Sequence, residues 1–241
     1  MKKILIIKPG SARDLSVFSE KGDYEDWFAL GMGVKKDKIA VSEIFKGEIP
    51  SGFEDISGII ITGSARMITD IPDWALKAAA WIKEAVSKGI PALGVCYGHQ
   101  LLAYSLGGKV DFNPKGRELG TVKVNLTDEA AKDDLFKIFP DEIEVHVSHS
   151  QTVTELPPGA VRLAFNNMDN NHAFRFGECA WGNQFHPEFD PTITECIIRQ
   201  RREAILSEGL DPDKMLESVS DSPHGFQLLQ RFLEIIRKRE S

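Results

Sequence analysis

The stretch Ile90-Pro-Ala-Leu-Gly-Val-Cys-Tyr-Gly-His-Gln100 constrains the fold of this chain more than any other. Its first half is a short apolar run with the character of a buried strand, opened by a proline that a strand tolerates at its first residue. Its second half, running to Leu106, places apolar residues at helical spacing and stops at Gly107-Gly108. Between them Gly94-Val-Cys96-Tyr-Gly98 forms a sharp strand-to-helix turn, with a glycine two residues either side of a thiol. Such a turn predicts a strained backbone at Cys96 and excludes bulky neighbours, which would strike the adjacent strand and helix. It also aims the sulfur at a helix N-terminus, whose partial positive charge favours thiolate over thiol. A lone cysteine between glycines is a weak signal, because free cysteine often packs as a small hydrophobe. The signal strengthens with Trp181-Gly-Asn-Gln-Phe-His186-Pro-Glu188, ninety residues downstream of the thiol.

The rest of the chain supplies a sheet around that turn. Ile4–Ile7 reads as a first strand, Pro9–Gly22 as a loop long enough to border a site, and Tyr24, Trp27, Phe28 and Leu30–Met32 as one helical face. Ile39–Phe45 alternates as a second strand, and Ile59–Thr62 is a third that ends in Gly63-Ser64. Pro72 opens a helix that runs to the Gly89-Ile-Pro break. Strand, helix, strand in this order predicts an α/β fold, with a mostly parallel sheet covered on both faces and sites outside the carboxyl ends of its strands. After Gly108 come short alternating runs at 121–126, 142–148, 161–165, 173–176 and 179–185, expected as antiparallel additions at the sheet edge, with a short helix within 128–139. From Pro191 onward the pattern is helical, at 192–207 and 224–238 with a polar connection at 209–223. We therefore expect one domain over 1–190 and a C-terminal helical extension, 191–241, packed on it.

These residues suit nucleophilic acyl chemistry. A cysteine needs a base to hold its proton and a third group to orient that base. A strand ending at Phe185 delivers His186, and Pro187 turns the chain so that Glu188 reaches the other ring nitrogen. Negative charge developing on a substrate carbonyl needs backbone donors. The amide of Tyr97 is one, and the backbone at Gly63-Ser64 is the natural second. By contrast, Cys179 and Cys196 have no activating neighbours and are expected in the core, and His99 as helix scaffold. His149 is either a substrate contact or a loop anchor. His146, His172 and His224 show no metal-ligand constellation. Glu118 either faces the pocket or sits in a charged turn, and Arg199, Arg201 and Arg202 read as a solvated helix face.

Gly-Val-Cys-Tyr-Gly-His-Gln followed by Gln-Phe-His-Pro-Glu resembles the class I, triad-type glutamine amidotransferases, and among them the stand-alone proteins similar to the glutaminase domain of GMP synthase. The resemblance runs from the first strand to about Phe189. It implies a flavodoxin-like sheet flanked by helices and attack by Cys96 on the glutamine side-chain amide. Ammonia would leave with a proton from His186, and the γ-glutamyl thioester would be hydrolysed to glutamate, with no cofactor and no metal. It further implies that Gln100 helps hold the substrate and that Ser148, His149 and Ser150 read the amino-acid end of glutamine. The sequence departs from the family at Thr62-Gly63-Ser64, where many relatives carry Ser-Gly-Gly, and at Ser150-Gln151, where glycine and aspartate are usual. The second departure keeps open a γ-glutamyl peptidase acting on larger amides. A non-catalytic ligand-binding module and a cysteine hydrolase of another lineage are the readings of other kinds. The residues present include no phosphate loop with its lysine, so an amidotransferase would need a separate ammonia-accepting synthetase subunit.

Composition bears on compartment and partners. With 29 basic against 36 acidic residues, the chain lacks an electrostatic footprint for nucleic acid. No apolar run reaches the length of a membrane span. Three cysteines without ligand spacing argue for a reducing compartment, expected to be the cytoplasm.

Overall fold

Alternation along the strands decides how the sheet is covered. In β1 (Lys3–Ile7), Ile4 and Ile6 enter one core while Leu5 and Ile7 enter another. A strand puts successive side chains on opposite faces, so an unbroken apolar run calls for cover on both. The computed structural model describes residues 2–240. After β1 come α1 (Phe18–Lys21), α2 (Tyr24–Met32), β2 (Ile39–Ser42), β3 (Ile56–Ile61), α3 (Asp73–Ser87), β4 (Ala92–Val95) and α4 (Tyr97–Ser105). The second half adds β5 (Lys109–Phe112), β6 (Glu118–Leu126), β7 (Glu142–His149), β8 (Gln151–Glu155), β9 (Val161–Phe165), β10 (Ala173–Phe176) and β11 (Ala180–Asn183). Four helices follow: α5 (Pro191–Gln200), α6 (Arg202–Ser207), α7 (Pro212–Glu217) and α8 (Pro223–Glu240).

Nine strands form one sheet in the order β2-β1-β3-β4-β11-β10-β9-β6-β7, and β5 pairs with β8 in a separate antiparallel ribbon. The run from β2 to β11 is parallel, and from β10 onward neighbours are antiparallel. This is the α/β, mostly parallel, helix-flanked architecture expected. One face packs on α2 and α8, where Phe28, Leu229 and Phe232 meet Ile6, Ile60 and Leu93. The other packs on α3 and α4, where Ile82, Leu101 and Leu102 meet Ile7, Ile59 and Ile61. Each such fully buried side chain contributes about 1.5–3 kcal/mol. The C-terminal helices are part of this packing, with α8 against α2, β3 and β7, and α5 against β6. Among the described residues no helix is long and apolar enough to cross a membrane.

Several expectations are corrected. The 179–185 run is no edge addition: β11 lies inside the sheet, between β4 and β10 and parallel to β4. The β10–β11 hairpin, turning at Gly177 with φ 59°, reverses the chain, and alternation carries no strand direction. The second strand stops at Ser42 and gives way to a 3-10 turn at Ile44–Lys46. The 128–139 segment holds a 3-10 turn, Ala130–Lys132, in place of a helix. Leu30 is exposed, off the buried face of α2. The 192–207 helix breaks at Arg201, and the 209–223 connection contains α7, capped by Asp211.

Candidate active site

β4 ends at Val95, and the next residue, Cys96, has φ 52° and ψ −107° before α4 begins at Tyr97. A side chain in this region costs roughly 1–3 kcal/mol and persists where its surroundings over-determine it. Here the Cys96 amide donates to the Asn183 carbonyl on β11 at 2.9 Å, and its carbonyl accepts from Gln100 at 3.1 Å. The flanking glycines permit the turn. A Cβ on Gly98 would overlap the Ile61 carbonyl of β3, and one on Gly94 would overlap the Gly98 carbonyl. The first amides of α4 have no intrahelical partner, so they face the space above the sulfur as donors.

Because β11 lies parallel beside β4, with Asn183 opposite Val95, the chain leaves both strands at the same end of the sheet. Three residues later the His186 amide donates to the His146 carbonyl at 2.8 Å, fixing its backbone. The imidazole lies beside Cys96, both packing against Gly63, and its Nδ1 is 2.8 Å from Glu188 Oε1. Its flat face stacks on Phe189 with ring centroids 3.9 Å apart and planes 10° apart. Gly63 lies against both groups: a Cβ there would come 2.8 Å from His186 Cε1 and 3.6 Å from Cys96 Cβ. Cys96, His186, Glu188, Gly63 and Tyr97 thus converge, and His186 and Glu188 are both buried.

Electrostatics follows from that geometry. Burial opposes ionisation of the Cys96 thiol, yet the charge and hydrogen bond of His186, with the charge of His149, bring it below its ordinary value. Burial likewise opposes the His186 imidazolium, and the charges of Glu188 and Cys96 outweigh it and raise the pKa. Both shifts favour the thiolate–imidazolium form of the pair.

The cleft beside the sulfur is narrow, about 30 Å³, and is lined by Ser64, Gln100, Arg117, Ser148, Ser150 and Arg201 among others. Ser64 turns its hydroxyl toward Pro9, 3.4 Å from that carbonyl. Gln100 spends its amide nitrogen on the Gln151 carbonyl and Gln184 Oε1, both at 3.0 Å. The Ser150 hydroxyl is buried with no hydrogen-bond partner among the described residues. The Gln151 side chain ties this wall to the opposite one, accepting from Ile68 N at 2.9 Å and donating to Thr69 Oγ1 at 2.7 Å.

His149 is anchored through both ring nitrogens and also lines the cleft. Its Nδ1 is 2.9 Å from the Gln151 carbonyl and its Nε2 is 2.9 Å from Glu118 Oε2. A backbone carbonyl and an ionised carboxylate both accept only, so this pairing favours protons on both ring nitrogens, the imidazolium form. Burial opposes that charge, and Glu118 outweighs it, raising the pKa. Glu118 also accepts from His172 Nε2 at 3.0 Å and from Asn166 Nδ2 at 2.6 Å. His172 was expected to stand apart from any constellation, but the fold gathers Glu118, His149 and His172 so that their ligand-type atoms lie within 4.8 Å of one another. Both imidazoles aim Nε2 at one carboxylate oxygen at hydrogen-bonding distance, the geometry of a proton-filled ion-pair hub.

Arg201 is the main correction within the site. It leaves the solvated face of its helix, lines the cleft and donates to Ser148 Oγ at 3.2 Å. Sequence reasoning also missed Arg117, paired bidentately with Glu208, and Phe189, the platform under His186. The aromatic directly after His-Pro-Glu was the available signal for Phe189.

A family model described as Glutamine amidotransferase class-I matches residues 32–201. The chain is 30% identical over 189 residues to gamma-glutamyl peptidase 4 of Arabidopsis thaliana, a match covering 76% of this chain and 75% of that protein. It is 31% identical over 204 residues to the glutamine-hydrolyzing GMP synthase of Petrotoga mobilis, covering 78% of this chain and 33% of that protein. A crystal structure of a glutamine amidotransferase from Thermotoga maritima shares the fold, with a TM-score of 0.75, 24% identity and 98% of each chain covered. On the family model and the relative matched along three quarters of its length, the chain belongs to the class I glutamine amidotransferase family and is an enzyme of it.

Proposed function

We propose that the chain hydrolyses the side-chain amide of glutamine through a γ-glutamyl thioester on Cys96. The thiolate attacks the amide carbon, and the oxyanion is received by the amides of Tyr97 and of the Gly63-Ser64 backbone. The His186 imidazolium gives its proton to the departing nitrogen, so ammonia leaves as the thioester forms. Neutral His186 then takes a proton from water, which attacks the thioester and releases glutamate and the thiolate. Glu188 holds the imidazole in register and stabilises its charged form without accepting the proton. The observation that supports this reading is a buried imidazole that packs beside Cys96 and has its Nδ1 2.8 Å from the Glu188 carboxylate. The ammonia would serve a separate synthetase subunit docked at the cleft mouth.

A second reading keeps the thioester and changes the leaving group: a larger amine from a γ-glutamyl peptide. It is supported by Gln151, which stands where the family usually carries aspartate and spends its side chain bridging the cleft walls. The match to a γ-glutamyl peptidase over 75% of that protein's length supports it as well.

The test is glutamate release from glutamine, γ-glutamyl dipeptides and glutathione conjugates by wild type and Cys96→Ala. Glutamine preferred, with activity abolished in the variant, supports the first reading. Preference for the larger amides moves the assignment to the second. Turnover that survives Cys96→Ala eliminates both.

A further inference from the structure

Two arginines reach the cleft beside Cys96, and they are neutralised differently. Arg117 gives its Nε and Nη2 to the two oxygens of Glu208 at 2.8 and 2.7 Å, so its charge is met. Arg201 donates to the neutral hydroxyl of Ser148 at 3.2 Å, and among the described residues no carboxylate lies within ion-pair distance of it. A guanidinium does not shed its proton, so a half-buried one without a counter-ion is a standing electrostatic cost unless an anion arrives.

The backbone puts it there. α5 ends at Gln200 and α6 starts at Arg202, with Arg201 at φ −96° and ψ 12° in the break between them. Its neighbours turn outward and find carboxylates, Arg199 on Glu195 and Arg202 on Asp213. Burial and the adjacent charge of Arg117 push the Arg201 pKa down and outweigh the opposing charges of Cys96, Tyr24 and Glu208, none of which is ion-paired with it. The same narrow cleft is lined by the sulfur and by this guanidinium, so a short acyl group bound to Cys96 would present its far end to Arg201.

Resting on the γ-glutamyl reading above, we propose that Arg201 is the specificity residue that reads the α-carboxylate of the γ-glutamyl substrate, across the cleft from Cys96. The planar fork of arginine matches a carboxylate with two parallel hydrogen bonds, which lysine cannot reproduce. The Ser148 hydroxyl is free to rotate and serve the incoming anion. The enzyme therefore selects the free α-acid of a γ-glutamyl amide and rejects its amidated or esterified form.

The experiment uses the best amide from the panel above and its α-carboxamide analogue, with wild type, Arg201→Met and Arg201→Lys. Wild type is expected to favour the free acid in kcat/KM by about 100-fold, within the range for truncating a buried charged partner. Arg201→Met should lose about 100-fold on the acid, mostly through KM, and less than about threefold on the carboxamide. Arg201→Lys should fall between. Equal turnover of both compounds by wild type overturns the assignment without any variant. It is also overturned if Arg201→Met loses equally on both substrates while the pH profile of Cys96 alkylation by iodoacetamide moves upward, because the arginine then serves the thiolate. Absence of any wild-type turnover across the panel instead removes the γ-glutamyl reading itself.

Discussion

Replacing Glu118 with glutamine tests whether the buried ion-pair hub tunes the nucleophile. The carboxylate accepts from His149, His172 and Asn166 at 2.9, 3.0 and 2.6 Å. A glutamine has one acceptor oxygen and two N–H donors, so it cannot accept from all three. Asn166 cannot flip to help, since its Oδ1 already accepts from Met168 and Asp169, each at 2.8 Å. The amide oxygen must face Asn166, and its NH2 must face two imidazoles that now accept through Nε2. His149 keeps its Nδ1 proton for the Gln151 carbonyl and becomes neutral. Three charge-assisted bonds become ordinary ones, each weaker by about 1 kcal/mol, so roughly 3 kcal/mol is lost. For a chain of this size that lowers Tm by about 6–12 °C. Without the His149 charge, Cys96 alkylation by iodoacetamide should need a higher pH than in wild type. The sign of the pH dependence follows from direction. The folded pKa of Glu118 is depressed despite its burial, through His149 and His172, so its stabilisation is present above its unfolded value and fades as pH falls. The gap in Tm between wild type and Glu118→Gln should therefore narrow below about pH 4.5, the ordinary glutamate range. A Tm within about 2 °C of wild type at pH 7, or an alkylation profile that does not move, would refute the reasoning.

Three further outcomes follow from the same geometry. Gly98→Ala should cost at least about 3 kcal/mol or abolish soluble expression, because the added Cβ strikes the Ile61 backbone; Gly52→Ala, whose Cβ meets the end of the exposed Glu54 side chain, should stay within about 0.5 kcal/mol in a urea melt. Wild-type Cys96 should alkylate below the ordinary thiol range, and His186→Asn should move the profile upward, since the main opposition to burial is then gone and only the His149 charge still acts against it. Glu188→Gln should slow glutamate release by less than Cys96→Ala does, as it misorients the imidazole without deleting it, and an equal or greater loss would show that its role is wrongly assigned.

The turn around Cys96 was legible because its constraint is local. Two glycines, a strand pattern and a helix pattern meet within eleven residues, and no distant contact can rescue a side chain at Gly98 that overlaps the next strand. His186 and Glu188 were legible for a related reason, a strand delivering one group and a proline turning the other toward it. What stayed hidden depended on contacts between distant segments. The direction of β11 is set by the β10 hairpin, and alternation at 179–185 reads the same either way. The break at Arg201 carries neither glycine nor proline, so Ile198-Arg-Gln-Arg-Arg-Glu reads as unbroken helix, and the inward turn of its middle arginine has no local signature. The Glu118 hub joins residues 31 and 54 positions away, spacings that no ligand motif encodes.

These hidden contacts explain why the site needs both halves of the sheet. The parallel half ends in Gly63, Cys96 and, past β11, His186, the residues to which the proposed mechanism gives attack, proton transfer and backbone donors. None of these recognises an amino-acid end. The antiparallel half contributes Glu118 from the start of β6 and Ser148 and His149 from the end of β7, paired across one ladder where Glu118 opposes His149 and Leu119 opposes Ser148. That pairing fixes the height of the Ser148 carbonyl, 3.7 Å from the sulfur, and of the hydroxyl that meets Arg201. A one-residue slip of β6 against β7 would turn Glu118 to the other face, strip His149 of its counter-ion and withdraw the wall opposite the nucleophile, all while leaving the turn at Cys96 intact. On the proposed reading, chemistry and recognition are set by two separate registers, and the cleft lies where they meet.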